Sequence, residues 1–210
     1  MRPARGYTLT ERATPLAGGT ENAMVIRMDR RGALSILGLA AVGLYEAPAV
    51  AAVARALSIG ELVKKSSSAL VLTGVARRAT WQVIGGSRRI VTETRARVEE
   101  VVTGADPSAS EVVVHTLGGR IGTVGQIVEG EAELELGETS LTFLTSLAPL
   151  AYAVTAMAQG HYPVVNDAHG KTLAANRQLP ALLKKTGSAV ERLAGRSLSE
   201  GLALVRAEQR

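Results

Sequence analysis

The sequence contains no cysteine, one tryptophan, one phenylalanine and three histidines. Without cysteine there is no disulfide framework, no Cys-ligated zinc, no Fe–S cluster, no thiol nucleophile and no lipoprotein anchor. Aromatic residues make up 3% of the chain, too few for platforms on which bases or sugars stack in series. What is present is a chain of 210 residues, 46% apolar and 20% charged. That length allows one domain, or two small ones, and the composition is not that of a disordered polar tail.

The net charge of +5 is unevenly spread. Residues 1–56 hold seven Arg and four acids, a net of +3, and the remainder holds 17 basic and 15 acidic residues, a net of +2. The body therefore has no electrostatic footprint for nucleic acid. The basic excess coincides with Met28-Asp29-Arg30-Arg31-Gly32-Ala33-Leu34, two adjacent arginines followed by apolar residues. The apolar run from Ala33 to Leu44 suits the central region of an export signal and is too short for a bilayer span. Small-residue patterns follow at Ala49-Val50-Ala51, Ala52-Val53-Ala54 and Ala54-Arg55-Ala56. The order of basic, apolar and small residues resembles a twin-arginine signal, with Arg30, Arg31 and Leu34 as its export determinants and Ala52, Ala54 and Ala56 in its cleavage region. A general secretion signal, or a buried helix with a basic flank, is the alternative. Residues 1–23 show no periodicity; they precede a true start at Met24 or Met28, or form a leader.

After residue 56 the pattern is that of strands. Ser58 and Glu61 match a capping box, predicting a short helix. Ala69–Ala76 is a short apolar, β-branched run, and Arg89–Val102 alternates apolar with charged residues, one face for a core and one for solvent. A turn at Thr103–Ser108, a strand at Glu111–Leu117 and a glycine-rich connection come next. Glu129, Glu131, Glu133 and Glu135 then alternate with small and apolar residues, as in a one-sided strand or extended loop. Strands are predicted at Thr139–Thr145 and Tyr152–Ala158, with an edge segment at His161–Val165, where Pro163 cannot donate to a central ladder. These short strands predict an all-β, mainly antiparallel fold, an OB-like small barrel or sandwich over 57–176. In the tail, 177–210, Arg177–Lys185 reads as at most a turn of helix. Ser197 and Glu200 cap a C-terminal helix whose Leu198, Leu202 and Val205 share one face.

A set of local motifs carries a family resemblance: Glu61-Leu62-Val63, Gly74-Val75, Ile90-Val91-Thr92, Val98-Glu99-Glu100-Val101, Gly104, Val112-Val113-Val114 with Gly118-Gly119, Gly137-Glu138, Leu141-Thr142-Phe143-Leu144 and Ala158-Gln159-Gly160. Over Leu57–Val165 the chain resembles an uncharacterised group of small exported bacterial β proteins of myxobacterial type. It departs from that group at Thr139-Ser140 and at His161. The resemblance implies an exported β-barrel domain and carries no activity with it.

Catalytic motifs are scarce. Gly119–Gly125 spaces glycine every third residue, which is not the dinucleotide fingerprint, and Gly170-Lys171-Thr172 lacks the first glycine of a phosphate loop. Lys185-Thr186-Gly187 has no S-x-x-K upstream in the body. His161, Asp167 and His169 are the best candidates for a metal site, though in no helical signature. Trp81, beside Arg77 and Arg78, is a candidate interface anchor in the connection between the first two strands. The expectation is a periplasmic or secreted binding or structural module of the envelope, more consistent with a non-enzyme, needing no cofactor. Its partners would be the export translocase, transiently, and an envelope protein or polymer, without nucleic acid and without a stable membrane span after cleavage. The alternative is a metal-dependent hydrolase or accessory enzyme using His161, Asp167 and His169.

Overall fold

Ser68–Ile84 forms one strand of 17 residues, and Ser87–Gly104 runs back along it for 18. They belong to a computed structural model that describes residues 24–28, 53–104, 107, 109–167, 170–183 and 186–209. In chain order the elements are β1 (Met24–Met28), β2 (Val53–Arg55), α1 (Ile59–Lys65), β3 (Ser68–Ile84), β4 (Ser87–Gly104), β5 (Glu111–Leu117), β6 (Gly119–Ile121), β7 (Val124–Val128), β8 (Thr139–Ala148) and β9 (Ala151–Val154). A 3-10 turn at Met157–Gly160 leads to β10 (His161–Asp167), β11 (Gly170–Leu173), β12 (Ala181–Leu183), α2 (Ala189–Leu193) and α3 (Leu198–Ala207).

Five strands close on themselves. β3 pairs with β4, β4 with β5, β9 with β8 and β8 with β3, all antiparallel, while β5 and β9 pair in parallel. Counted within the ring, the strands run first, second, third, fifth, fourth and back to first. This is the arrangement of an OB-type barrel. Strands as long as β3 and β4 can follow the ring because their ladder shifts register after Ala69, Val71 and Gly74, and bulges of this kind bend a strand.

Alternation divides the apolar residues between two cores. Leu70, Leu72, Ala96, Val112, Val114, Leu144, Tyr152 and Val154 fill the ring, joined by Ala132 and Leu134 from the loop before β8. Ala69, Val71, Val102, Leu141 and Phe143 face the other way, against Leu57, Ile59, Leu62, Val190, Leu193, Leu202 and Val205. The first parts of β3 and β8 are buried on both faces, which explains the unbroken apolar run at 69–72 and the buried Leu141-Thr142-Phe143-Leu144. The outer core is roofed by the short helices. Both predicted capping boxes form: Ser58 Oγ accepts from Glu61 N, Glu61 accepts from Ser58 N, and Ser197 with Glu200 repeats the exchange. Leu202 and Val205 of α3 are buried in this core and Leu198 packs against it.

Several elements differ from expectation. The strand predicted over 152–158 stops at Val154, and the 3-10 turn takes its place. The glycine-rich connection after β5 contains β6 and β7. No helical turn forms over 177–183: Ala181–Leu183 pairs in parallel with β2, and α2 follows. Pro180 disfavours helix in the residue before it, and β2 offers a ladder instead. Residues 24–28, assigned to the leader, pair in parallel with β7. β10 pairs with β8 through His161–Pro163 and with β11 from Val164 onward, so Pro163 sits at the changeover between two ladders.

Candidate functional site at the barrel mouth

One end of the ring is covered by the β6–β7 hairpin, which lines a cavity of about 580 Å³. This size is in the range of small-molecule sites, and barrel mouths are a common place for them. Thr92, Thr94 and Thr116 line it from β4 and β5, Gly125–Val128 from β7, and Glu131–Leu134 from the loop before β8. Arg77, Arg120 and Gln178 complete the rim. A larger hollow, about 690 Å³, lies along α2 and α3, but it is lined by those two helices and the turn between them. The barrel mouth gathers groups from six segments and is the stronger candidate.

The cavity is held by specific bonds. Gln126 is buried and its Oε1 accepts from Ile90 N at 2.8 Å, while Gly118 N donates to Ile90 O at 2.8 Å, so β7 and the start of β6 are tied to the edge of β4. Thr92 Oγ1 donates to Gly118 O at 2.7 Å. On the opposite rim Gly74 N donates to Glu138 O at 3.2 Å, and Gly137 N to Gly74 O at 2.9 Å. A Cβ at Gly74 would lie 2.4 Å from the carbonyl oxygen of Glu135, so only glycine admits the loop this close. The alternating glutamates thus belong to an extended loop: Ala132 and Leu134 plug the ring, while Glu129, Glu133 and Glu135 point to solvent. Arg77 Nη1 lies 3.6 Å from Glu135, and Gln178 Nε2 donates to Glu133 at 3.4 Å. Burial raises the Glu138 carboxyl above its usual range, helped by the nearby charge of Glu135.

Trp81 is not in a connection. It lies within β3 opposite Ile90, and the strand continues to Ile84. Alternation puts Arg77, Ala79 and Trp81 on the cavity's side and Arg78 on the other. Arg78 pairs with Glu93 at 2.9 Å, and the cation over the Trp81 ring is Arg88, 4.6 Å from its centroid.

The three metal candidates are not brought together. His161 is fully buried; its Nδ1 lies 2.6 Å from Asn176 Nδ2, and its Nε2 has no partner among the described residues. Burial pushes its pKa down to about 4. Asp167 ends the same strand, six residues on, which is about 20 Å at the rise of a β-strand. His169 lies outside the described residues, among which no group of His, Asp or Glu is placed to hold a metal. Arg30, Arg31, Leu34 and Ala52 also lie outside them. Ala54 pairs with Leu182 in the β2–β12 ladder, and Ala56 is buried. No helix among the described residues is long and apolar enough to cross a membrane.

The sequence reading missed the cavity because its walls come from segments up to about a hundred residues apart. Only Gly118, Gly119 and Gly125, singled out as turns, hinted at the close packing of β6 and β7 on the ring. No protein-family model matches the chain, and no curated protein is similar to it.

Proposed function

We propose that this protein is an exported binding module of the periplasm, envelope or medium, and that its ligand seats in the barrel-mouth cavity. The observation that carries the reading is the cavity itself: threonines, backbone glycines and an arginine–glutamate rim converge on it from separate segments. Such a lining suits a small polar ligand or a short polar segment of a polymer, held by hydrogen bonds. The arginine pair, apolar run and small-residue patterns ahead of the body support export. A metal-dependent hydrolase on His161, Asp167 and His169 has less support, because His161 is sealed in the core and bonded to Asn176.

Expression with the native N-terminus, followed by intact native mass measurement of periplasm and medium, tests this. A shortened chain carrying a small bound mass is expected, with Ala79→Trp, which places an indole in the cavity, losing that mass. An uncleaved chain confined to the cytoplasm refutes export. A bound metal with a turnover that His161→Gln abolishes refutes the binding module.

A further inference from the structure

The end of the β3–β4 hairpin leaves the barrel. β8 accompanies β3 only as far as Thr73, β5 accompanies β4 only from Val91 onward, and Ile90 is the last residue tied to Gly118 and Gln126, so Gln82–Ile84 and Ser87–Arg89 pair with each other alone. Gly85 and Gly86 close this arm with φ of +59° and +77°, the primed turn that suits a two-residue hairpin. From Ile90 to the turn the arm extends about 13 Å at the rise of a β-strand.

Its tip is apolar on both sides. Alternation sets Trp81 and Val83 on one side and Ile84 on the other, and Val83 is 76% exposed. Arg88, opposite Val83, and Arg89, opposite Gln82, add one positive charge to each side. Neither has a carboxylate partner among the described residues. A partner taking one face of the arm would leave apolar surface of the other in water, whereas a bilayer surrounds an inserted tip. A single-stranded nucleic acid is held by successive stacking rings, whereas Trp81 is the one aromatic residue of the arm and has Arg88 over its ring. Tryptophan at the depth of lipid headgroups, with arginines reaching phosphates, is the usual chemistry of an interfacial anchor.

We infer that the β3–β4 arm docks end-on into an anionic phospholipid surface, with Val83 and Ile84 entering the headgroup region and Arg88 and Arg89 pairing with lipid phosphates. The anchor is peripheral, and it does not depend on the export reading or on the cavity being occupied.

Trp81 is the sole tryptophan, so its fluorescence reports on the arm without a label. The purified chain is titrated with vesicles of phosphatidylglycerol and phosphatidylcholine, and with phosphatidylcholine alone. Emission should shift to the blue and be quenched by brominated lipid on anionic vesicles only. Binding should weaken about five-fold for each of Arg88→Gln and Arg89→Gln, the effect of about one juxtamembrane charge. Val83→Asp with Ile84→Asp should abolish it while leaving the circular dichroism spectrum unchanged. The inference is overturned by absence of vesicle binding at low salt, by binding that survives the double aspartate variant, or by the arm binding a soluble polyanion such as heparin and no vesicle.

Discussion

Acid should unlock the core of this protein through one histidine. His161 is buried with its Nδ1 against Asn176, and its pKa is depressed from the ordinary 6.5 to about 4 by burial. Between those values the unfolded chain binds a proton that the folded chain does not, so stability is fully present above pH 6.5 and declines as pH falls toward 4. A shift of about 2.5 units corresponds to about 3 kcal/mol in total, and about 2.5 kcal/mol of it should be lost by pH 4.5. That is a large part of the 5–15 kcal/mol typical of a domain. Urea unfolding of the wild type and of His161→Gln at pH 7.5 and 4.5 isolates this contribution, since carboxylates common to both proteins cancel. The wild type should lose about 2.5 kcal/mol more than the variant. In a proton NMR titration the His161 ring signals should hold their neutral positions at pH 5.5. Equal losses in the two proteins, or a ring that titrates near 6.5, would refute the reasoning.

The Tyr162 hydroxyl is buried without a partner among the described residues, so Tyr162→Phe should be neutral or stabilising by up to about 1 kcal/mol in urea unfolding, whereas Phe143→Ala in the same cluster should cost about 3–5 kcal/mol. Gly74→Ala should destabilise by about 2 kcal/mol or more, because a methyl there meets the Glu135 carbonyl, and should loosen the loop that plugs the ring, read as faster amide exchange at Ala132 and Leu134. Of the three small-residue patterns, only cleavage after Ala51 keeps β2; N-terminal sequencing of exported protein should therefore find a start before Val53, and a start at Arg55 or Leu57 would contradict this.

What could be read in advance was local. The capping boxes at Ser58 and Ser197 depend on residues three apart, and the alternation of β4 depends on the residue opposite water or core. Arg77 and Arg78 interrupt the apolar run, so the local pattern ends the strand at Ala76 and sets Trp81 in a connection, whereas β3 continues to Ile84. Those arginines are tolerated in a strand because the arm is solvated on the side that carries Arg78 and Arg77 meets Glu135. The closing β5–β9 pair and the β2–β12 ladder join residues that no local pattern relates. His161 was a reasonable metal candidate by residue type, but only the fold shows it facing Asn176 inside the core.

The ends of the described body are fastened to one another. Leu57 N donates to Gln159 Oε1 at 3.0 Å, Ala189 N donates to Leu57 O at 2.7 Å, and α3 reaches back through Arg206 to Glu100. A chain emerging from the ribosome therefore meets the partners of its first folded residues only when the final helices have been made. Chains that close such distant contacts fold slowly, because loop entropy must be spent before the contacts form. The nascent protein accordingly has an interval in which it is synthesised and not yet locked.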